Sequence, residues 1–226
     1  MTNNLFLVLE NTLYAAAFLS GLIVATAMAI TKGAFSGGCV LYGEAEVKAG
    51  GVASVAHFGH VSACTFPLAA GVMGAVYAFC SILYWLHAAC TEDARRPAWW
   101  GGVASVVAGV LALLLLVSGC VLRVGLGRWC ESLITASAKV HPLHSCRDAQ
   151  ALNWTDSHNG ARFYDNVISG ETAVWVDLLV WVGCVVLLAV RGRVHGEPPF
   201  SSLPAPASWN DSSVGEHTPI LNPTVT

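Results

Sequence analysis

The chain has 226 residues, of which 55% are hydrophobic and 11% charged, and its formal net charge is −3. Soluble domains carry about 25% charged and about 45–50% apolar residues, so a water-soluble fold of this size could not hide so much apolar surface. The small net charge, with no basic run, excludes an electrostatic footprint for nucleic acid.

A bilayer core roughly 30 Å thick takes about 20 apolar residues of helix to cross. Four stretches meet that length, and they are the predicted spans: residues 13–31, 66–87, 101–122 and 173–190. None has Lys or Arg at its centre, and backbone groups in lipid must be paired within the segment, so each is expected to be helical. The expected fold class is an all-α membrane protein, a four-helix transmembrane bundle.

Residues 25–29, Ala-Thr-Ala-Met-Ala, follow an apolar stretch and resemble a signal-peptidase site. Cleavage there would leave three spans. However, residues 1–12 lack the Lys or Arg of a signal-peptide head, so the first span is expected to stay in the membrane.

Between the spans lie a Gly-rich first loop at 32–65, a short polar hinge at 88–100 and a long loop at 123–172. The tail, 191–226, is rich in Pro and Ser, a composition that cannot pack a core and is expected to be disordered. The hinge carries Arg95 and Arg96, and Arg191 and Arg193 abut the last span. Raw counts of basic residues nevertheless favour the two loops as the cytosolic side.

Two other features reverse that preference. Cys39 and Cys64 fall in the first loop and Cys130 and Cys146 in the long loop, so all four share one face, which an oxidising compartment would pair. Asn153-Trp154-Thr155 is a glycosylation sequon on the same side. The expectation is therefore cytosolic termini and two extracytoplasmic loops. Asn210-Asp211-Ser212 matches the sequon too, but falls in the expected cytosolic tail.

Disulfides Cys39–Cys64 and Cys130–Cys146 within each loop are expected, with cross-loop pairing as the alternative, since four cysteines allow three connectivities. Cys80, Cys120 and Cys184 lie inside spans and read as small apolar residues. Cys90, just beyond the second span, is a candidate for S-palmitoylation.

Small residues recur at helical spacing: Ala70, Gly74 and Ala78 in the second span, and Gly101, Ser105 and Gly109 beside Ala104, Ala108 and Ala112 in the third. Such stripes let helices approach closely in lipid. The expected partners are membrane lipid and, through these faces, another membrane protein or a second copy. Asp177 appears about one turn inside the fourth span, shallow enough to reach the headgroups.

His57-x-x-His60 and His141-x-x-His144 have the spacing of a metal pair, but in loops they read as solvated side chains, and no metal or cofactor is expected. Gly125-Leu-Gly127 follows no strand and is not a phosphate loop. No nucleophile has a base set beside it, so no enzyme is expected. Glu216-His-Thr-Pro-Ile220-Leu221 loosely matches an acidic dileucine sorting signal, which would direct the chain to endosomes or granules rather than the plasma membrane.

A wider pattern runs through the loops. Phe35-Ser-Gly-Gly-Cys39, Ser62-Ala-Cys64-Thr-Phe66, Cys90-Thr-Glu-Asp93, Val117-Ser-Gly-Cys-Val-Leu-Arg123, Trp129-Cys130-Glu-Ser, His144-Ser-Cys146 and Phe163-Tyr-Asp-Asn166 occur in that order. With Glu171-Thr and Trp175-Val176 the set resembles the transmembrane protein 179 family, its 179B branch most closely, over about residues 10–190. The resemblance implies a claudin-like tetraspan and no active-site residues. The first loop has no Trp and its cysteines are far apart, unlike claudins proper; the Cys-Cys-Gly of tetraspanins is absent, and so are the three cysteines per loop of connexins. The expected role is a non-enzymatic accessory, scaffold or adhesion protein. A small channel subunit is the alternative, with only Ser20, Thr26, Ser81, Ser105 and Ser118 to line it.

Overall fold

The structure, a computed structural model, describes residues 2–48, 50–90, 99–138, 142–155 and 158–194. The hinge arginines Arg95 and Arg96, His141 and the tail from 195 onward, with its second sequon and dileucine-like segment, lie outside the described residues.

Four long helices carry the fold: α1 (Thr2–Ala34), α2 (Val61–Cys90), α3 (Trp99–Ser137) and α4 (Phe163–Val194). All four are long and apolar enough to cross a membrane. Their inward residues follow a seven-residue repeat. In α1 these are Glu10, Tyr14, Ala17, Gly21, Val24, Met28 and Thr31; in α4 they are Phe163, Val167, Gly170, Val174, Asp177, Trp181, Cys184 and Leu188. Alternating steps of three and four keep one seam facing the neighbours, the geometry of left-handed bundles. The outer faces carry exposed Leu19, Ile30, Leu86, Leu113 and Leu179. A water-soluble bundle could not present so much contiguous apolar surface.

The helices outrun the predicted spans at both ends. Most of all, α3 continues through Arg123, Arg128 and Glu131 to Ser137, fifteen residues past the predicted end at 122. Charge ends the apolar run without ending the helix, because Leu122, Leu126, Trp129 and Leu133 extend the buried face. Likewise α4 begins ten residues before the predicted start at 173. The long loop is correspondingly shorter than 123–172.

The first loop is a β-hairpin, where the sequence suggested only a Gly-rich connection. β1 (Cys39–Lys48) pairs antiparallel with β2 (Val52–Gly59), and a two-residue β3 (Asn153–Trp154) from the long loop adds in parallel to β2. Gly50 and Gly51 turn the chain at φ 113° and 79°, a region open to glycine at little cost. The hairpin lies against the extension of α3, where the Ala45 amide donates to Ser132 Oγ at 2.8 Å.

Candidate functional site

The loops form one body at the end of the bundle away from the termini. A disulfide joins Cys39 to Cys64, tying the hairpin's entry to the start of α2, and another joins Cys130 of α3 to Cys146 of the long loop. Each bridge closes one loop upon itself. What joins the loops to each other is β3 and its flanks: the Thr155 amide donates to the Ala53 carbonyl at 3.2 Å, and the Asn159 amide to the Ala34 carbonyl at 2.8 Å.

An aromatic cluster fills the space beneath. Phe35 meets Trp129, Trp154 and Phe163 edge-on at centroid distances of 6.3, 5.5 and 6.2 Å. His158 lies between Phe35 and Phe58, and its Nδ1 is 3.0 Å from Thr155 Oγ1. Edge-to-face packing of this kind adds about 0.5–1.5 kcal/mol per pair beyond burial. Gly125 of α3, part of no phosphate loop, lets the Leu41 and Tyr42 side chains reach the helix: a Cβ there would lie 2.8 Å from the Tyr42 ring.

The α4 entry is tied to this body. The Gln150 side-chain oxygen accepts from the Tyr164 and Asp165 amides at 3.1 and 3.2 Å, answering donors the first helical turn leaves open. Arg147 pairs with Asp165 at 3.4 Å, and Arg123 with Glu171 at 3.6 Å. The Arg147–Asp165 pair is exposed and contributes little, whereas Glu171 of the other pair is buried.

Asn153 is exposed in β3, with its Thr155 two residues on. His57 lies in β2, His60 Nδ1 is 2.7 Å from Ser62 Oγ, and the Cys146 sulfur is spent in its disulfide. Among the described residues no three His, Cys, Asp or Glu side chains gather as a metal would require. Of the free cysteines, Cys184 is buried in the bundle, Cys80 and Cys120 lie on its outer face, and Cys90 is exposed at the end of α2.

The bundle core departs from the sequence reading in three ways. Asp177 does not reach outward: fourteen residues into α4, it is wholly buried in the bundle with its carboxyl group facing Gly74 of α2. Ser20 and Trp181 neighbour its carboxyl group, yet neither closes a hydrogen bond of acceptable geometry with it. Next, the core holds a buried ion pair: Arg191 Nη1 is 3.1 Å from Glu10 Oε2, tying α4 to α1 near their terminal ends. Its partners are 181 residues apart, and no local pattern couples them. Lastly, Ala70, Gly74 and Ala78 are packed inside this chain's own bundle, whereas Gly101 and Gly109 meet open space.

The hydroxyls are occupied by their own helices. Ser20, Ser81 and Ser118 donate to carbonyls four residues back at 2.9, 2.8 and 2.8 Å. Tyr14, Tyr77 and Trp181 pack on one another across the core, with centroids 5.8–6.3 Å apart.

Comparison with known proteins gives a consistent picture. The family described as the Transmembrane protein 179/179B Claudin domain matches residues 6–201. The chain is 36% identical over 192 residues to Transmembrane protein 179B of Danio rerio, covering 84% of this chain and 86% of the relative. It is 35% identical over 189 residues to the Homo sapiens protein of that name, covering 84% of each. The Mus musculus protein of that name is 30% identical over 211 residues, covering 92% of this chain and 94% of the relative. No solved structure matches the chain.

Proposed function

The chain belongs to the transmembrane protein 179/179B claudin family of multi-pass membrane proteins, and from that premise we propose that it is a non-enzymatic accessory, scaffold or adhesion-type tetraspan. The observation that carries this reading is the body built from both loops. Two disulfides, a sheet shared between loops and a common aromatic cluster make it a preformed rigid surface. Preformed surfaces bind without a large ordering cost.

In this reading the termini are cytosolic and the loop body faces an oxidising compartment, at the plasma membrane or an endosomal or granule membrane. Paired cysteines and the Asn153 sequon on one face support that sidedness. Lateral association with another membrane protein or a second copy would use the outer stripe of α3, Gly101-x-x-x-Ser105-x-x-x-Gly109, whose glycines leave room for a close helix.

The packed Tyr14–Tyr77–Trp181 core and the back-bonded serines speak against a pore along a single chain's axis. Proximity labelling in native cells, with one tag on the long loop and one on the tail, tests the proposal. The expected result is a reproducible membrane-protein neighbour. A strictly monomeric species in several mild detergents, with no enriched neighbour, would overturn it, and so would single-protein conductance after reconstitution.

A further inference from the structure

Charged and polar side chains at the ends of the apolar runs mark a rim around the bundle, on the side of the loop body. Lys32 follows the run of α1, and its Nζ donates to Thr65, just before the run of α2, at 3.2 Å. Arg123 follows the run of α3 and pairs at 3.6 Å with Glu171, two residues before the run of α4. Each helix passes from hydrocarbon to water at this rim. Just inside it Trp175 leaves 37% of its surface exposed, its ring seated on Gly119 of α3. Trp and Tyr rings, apolar in body and polar at one edge, collect at this level of a membrane.

The loop body brings an aromatic ring of its own to the rim. Tyr42 of β1 lies against Gly125 of α3, where a Cβ would come 2.8 Å from Tyr42 Cε2. Gly125 is only about 4.5 Å along the helix from Leu122, the last residue of the apolar run. Two residues apart on a helix, Arg123 and Gly125 face directions about 200° apart, so Tyr42 sits on the opposite flank of α3 from Arg123 and Trp175.

The backbone is bent to place it there. Cys39, Val40 and Leu41 are buried in succession; Tyr42 then stands at φ 62° with 43% of its surface exposed. Pairing with β2 is irregular over this stretch, between Cys39 and Glu44. A left-handed φ is open to glycine and costly for tyrosine. Packing beneath fixes the bend: a Cβ on Gly43 would lie 2.8 Å from the His57 carbonyl oxygen and 3.3 Å from the Trp129 ring. If the Tyr42 ring met only water, glycine would make the same bend without strain.

We propose that Tyr42 is a lipid-contact site that docks the loop body on the membrane surface. Its ring lies in the headgroup layer of the leaflet on the loop side, and its hydroxyl donates to phospholipid ester or phosphate oxygens. Height and chemistry select that partner. At Gly125 the apolar run has just ended, and an apolar ring with one donor at its edge suits a layer that is apolar below and rich in acceptor oxygens above.

The test uses the full chain in phospholipid nanodiscs, with 3-fluorotyrosine at its five tyrosines. The Tyr42 signal is assigned by its loss in Tyr42→Phe, which keeps the ring and its seat on Gly125. Fluorine relaxation is then measured with a nitroxide on the phospholipid headgroup and, separately, with a gadolinium chelate in the water. Tyr164, nine residues before Ala173 and so about 14 Å further along α4 from the run, is the reference within the loop body. The headgroup nitroxide should relax Tyr42 more than Tyr164, by about threefold or more, while the chelate relaxes Tyr42 no more than Tyr164. Headgroup relaxation of Tyr42 no stronger than that of Tyr164 would place the ring in water and overturn the proposal.

Discussion

Gly21 of α1 and Gly71 of α2 lie so close that a methyl group on either would strike the other's backbone: a Cβ at Gly21 would sit 2.8 Å from the Gly71 carbonyl oxygen, and one at Gly71 would sit 3.0 Å from that of Gly21. The crossing brings Val24 and Ala75 into the same contact. In a bilayer, where lipid tails are as apolar as leucine, such close packing is a main source of helix association. Gly→Ala usually favours a helix. Here we expect Gly21→Ala and Gly71→Ala to destabilise by about 1–3 kcal/mol each through overpacking. Thermal unfolding in a mild detergent measures it, and an unchanged or raised midpoint for both would refute the crossing.

The two disulfides act on separate loops, so their removal should be nearly additive. The Cys130–Cys146 bridge spans a sequence separation of 16, for which chain-entropy reasoning gives about 3 kcal/mol. Cys130→Ser/Cys146→Ser should lose about that much, and Cys39→Ser/Cys64→Ser, with a separation of 25, slightly more. Non-reducing peptide mapping of the native chain should recover these two pairs; a cross-loop pair would contradict the arrangement.

The Glu10–Arg191 pair is buried on the acid's side, so breaking it should cost more than removing it. Arg191→Ala leaves a buried carboxylate and should destabilise by about 3–5 kcal/mol at most, less to the extent that water reaches the partly exposed guanidinium. Glu10→Gln/Arg191→Met should recover part of the loss. A double-mutant cycle with no coupling would show that the pair contributes nothing.

Asn153 is exposed within β3, and the hydrogen bond from the Thr155 amide to Ala53 places its sequon in folded sheet. We expect a mobility shift on enzymatic removal of N-linked glycans that Asn153→Gln abolishes. The absence of any shift in protein from mammalian cells would refute modification at this site.

Helices and paired cysteines were legible in the sequence because hydropathy and compartment chemistry act locally. Helix ends were not, because hydropathy registers lipid rather than helix. At Arg123 and Arg128 the apolar run stops while Leu126, Trp129 and Leu133 carry the buried stripe onward, a periodicity that the charges mask. Hydropathy likewise gives no sign that Asp177 faces the bundle interior, because which side of a helix is buried is decided by its neighbours. Residues 44–55 alternate about Gly50-Gly51 as a hairpin does, a pattern open to recognition but overshadowed by the loop's glycine content. The Glu10–Arg191 and Gly21–Gly71 contacts join distant segments, and only the packed bundle reveals them.

Sidedness is the premise on which bracing, glycosylation and surface recognition all rest. Protease protection in sealed microsomes measures it directly, using one epitope tag inserted after residue 138 in the long loop and a second at the C-terminus. The account predicts that the loop tag survives until detergent is added while the terminal tag is digested at once. A digested loop tag beside a protected terminal tag would put the cysteine pairs in a reducing cytosol and contradict it.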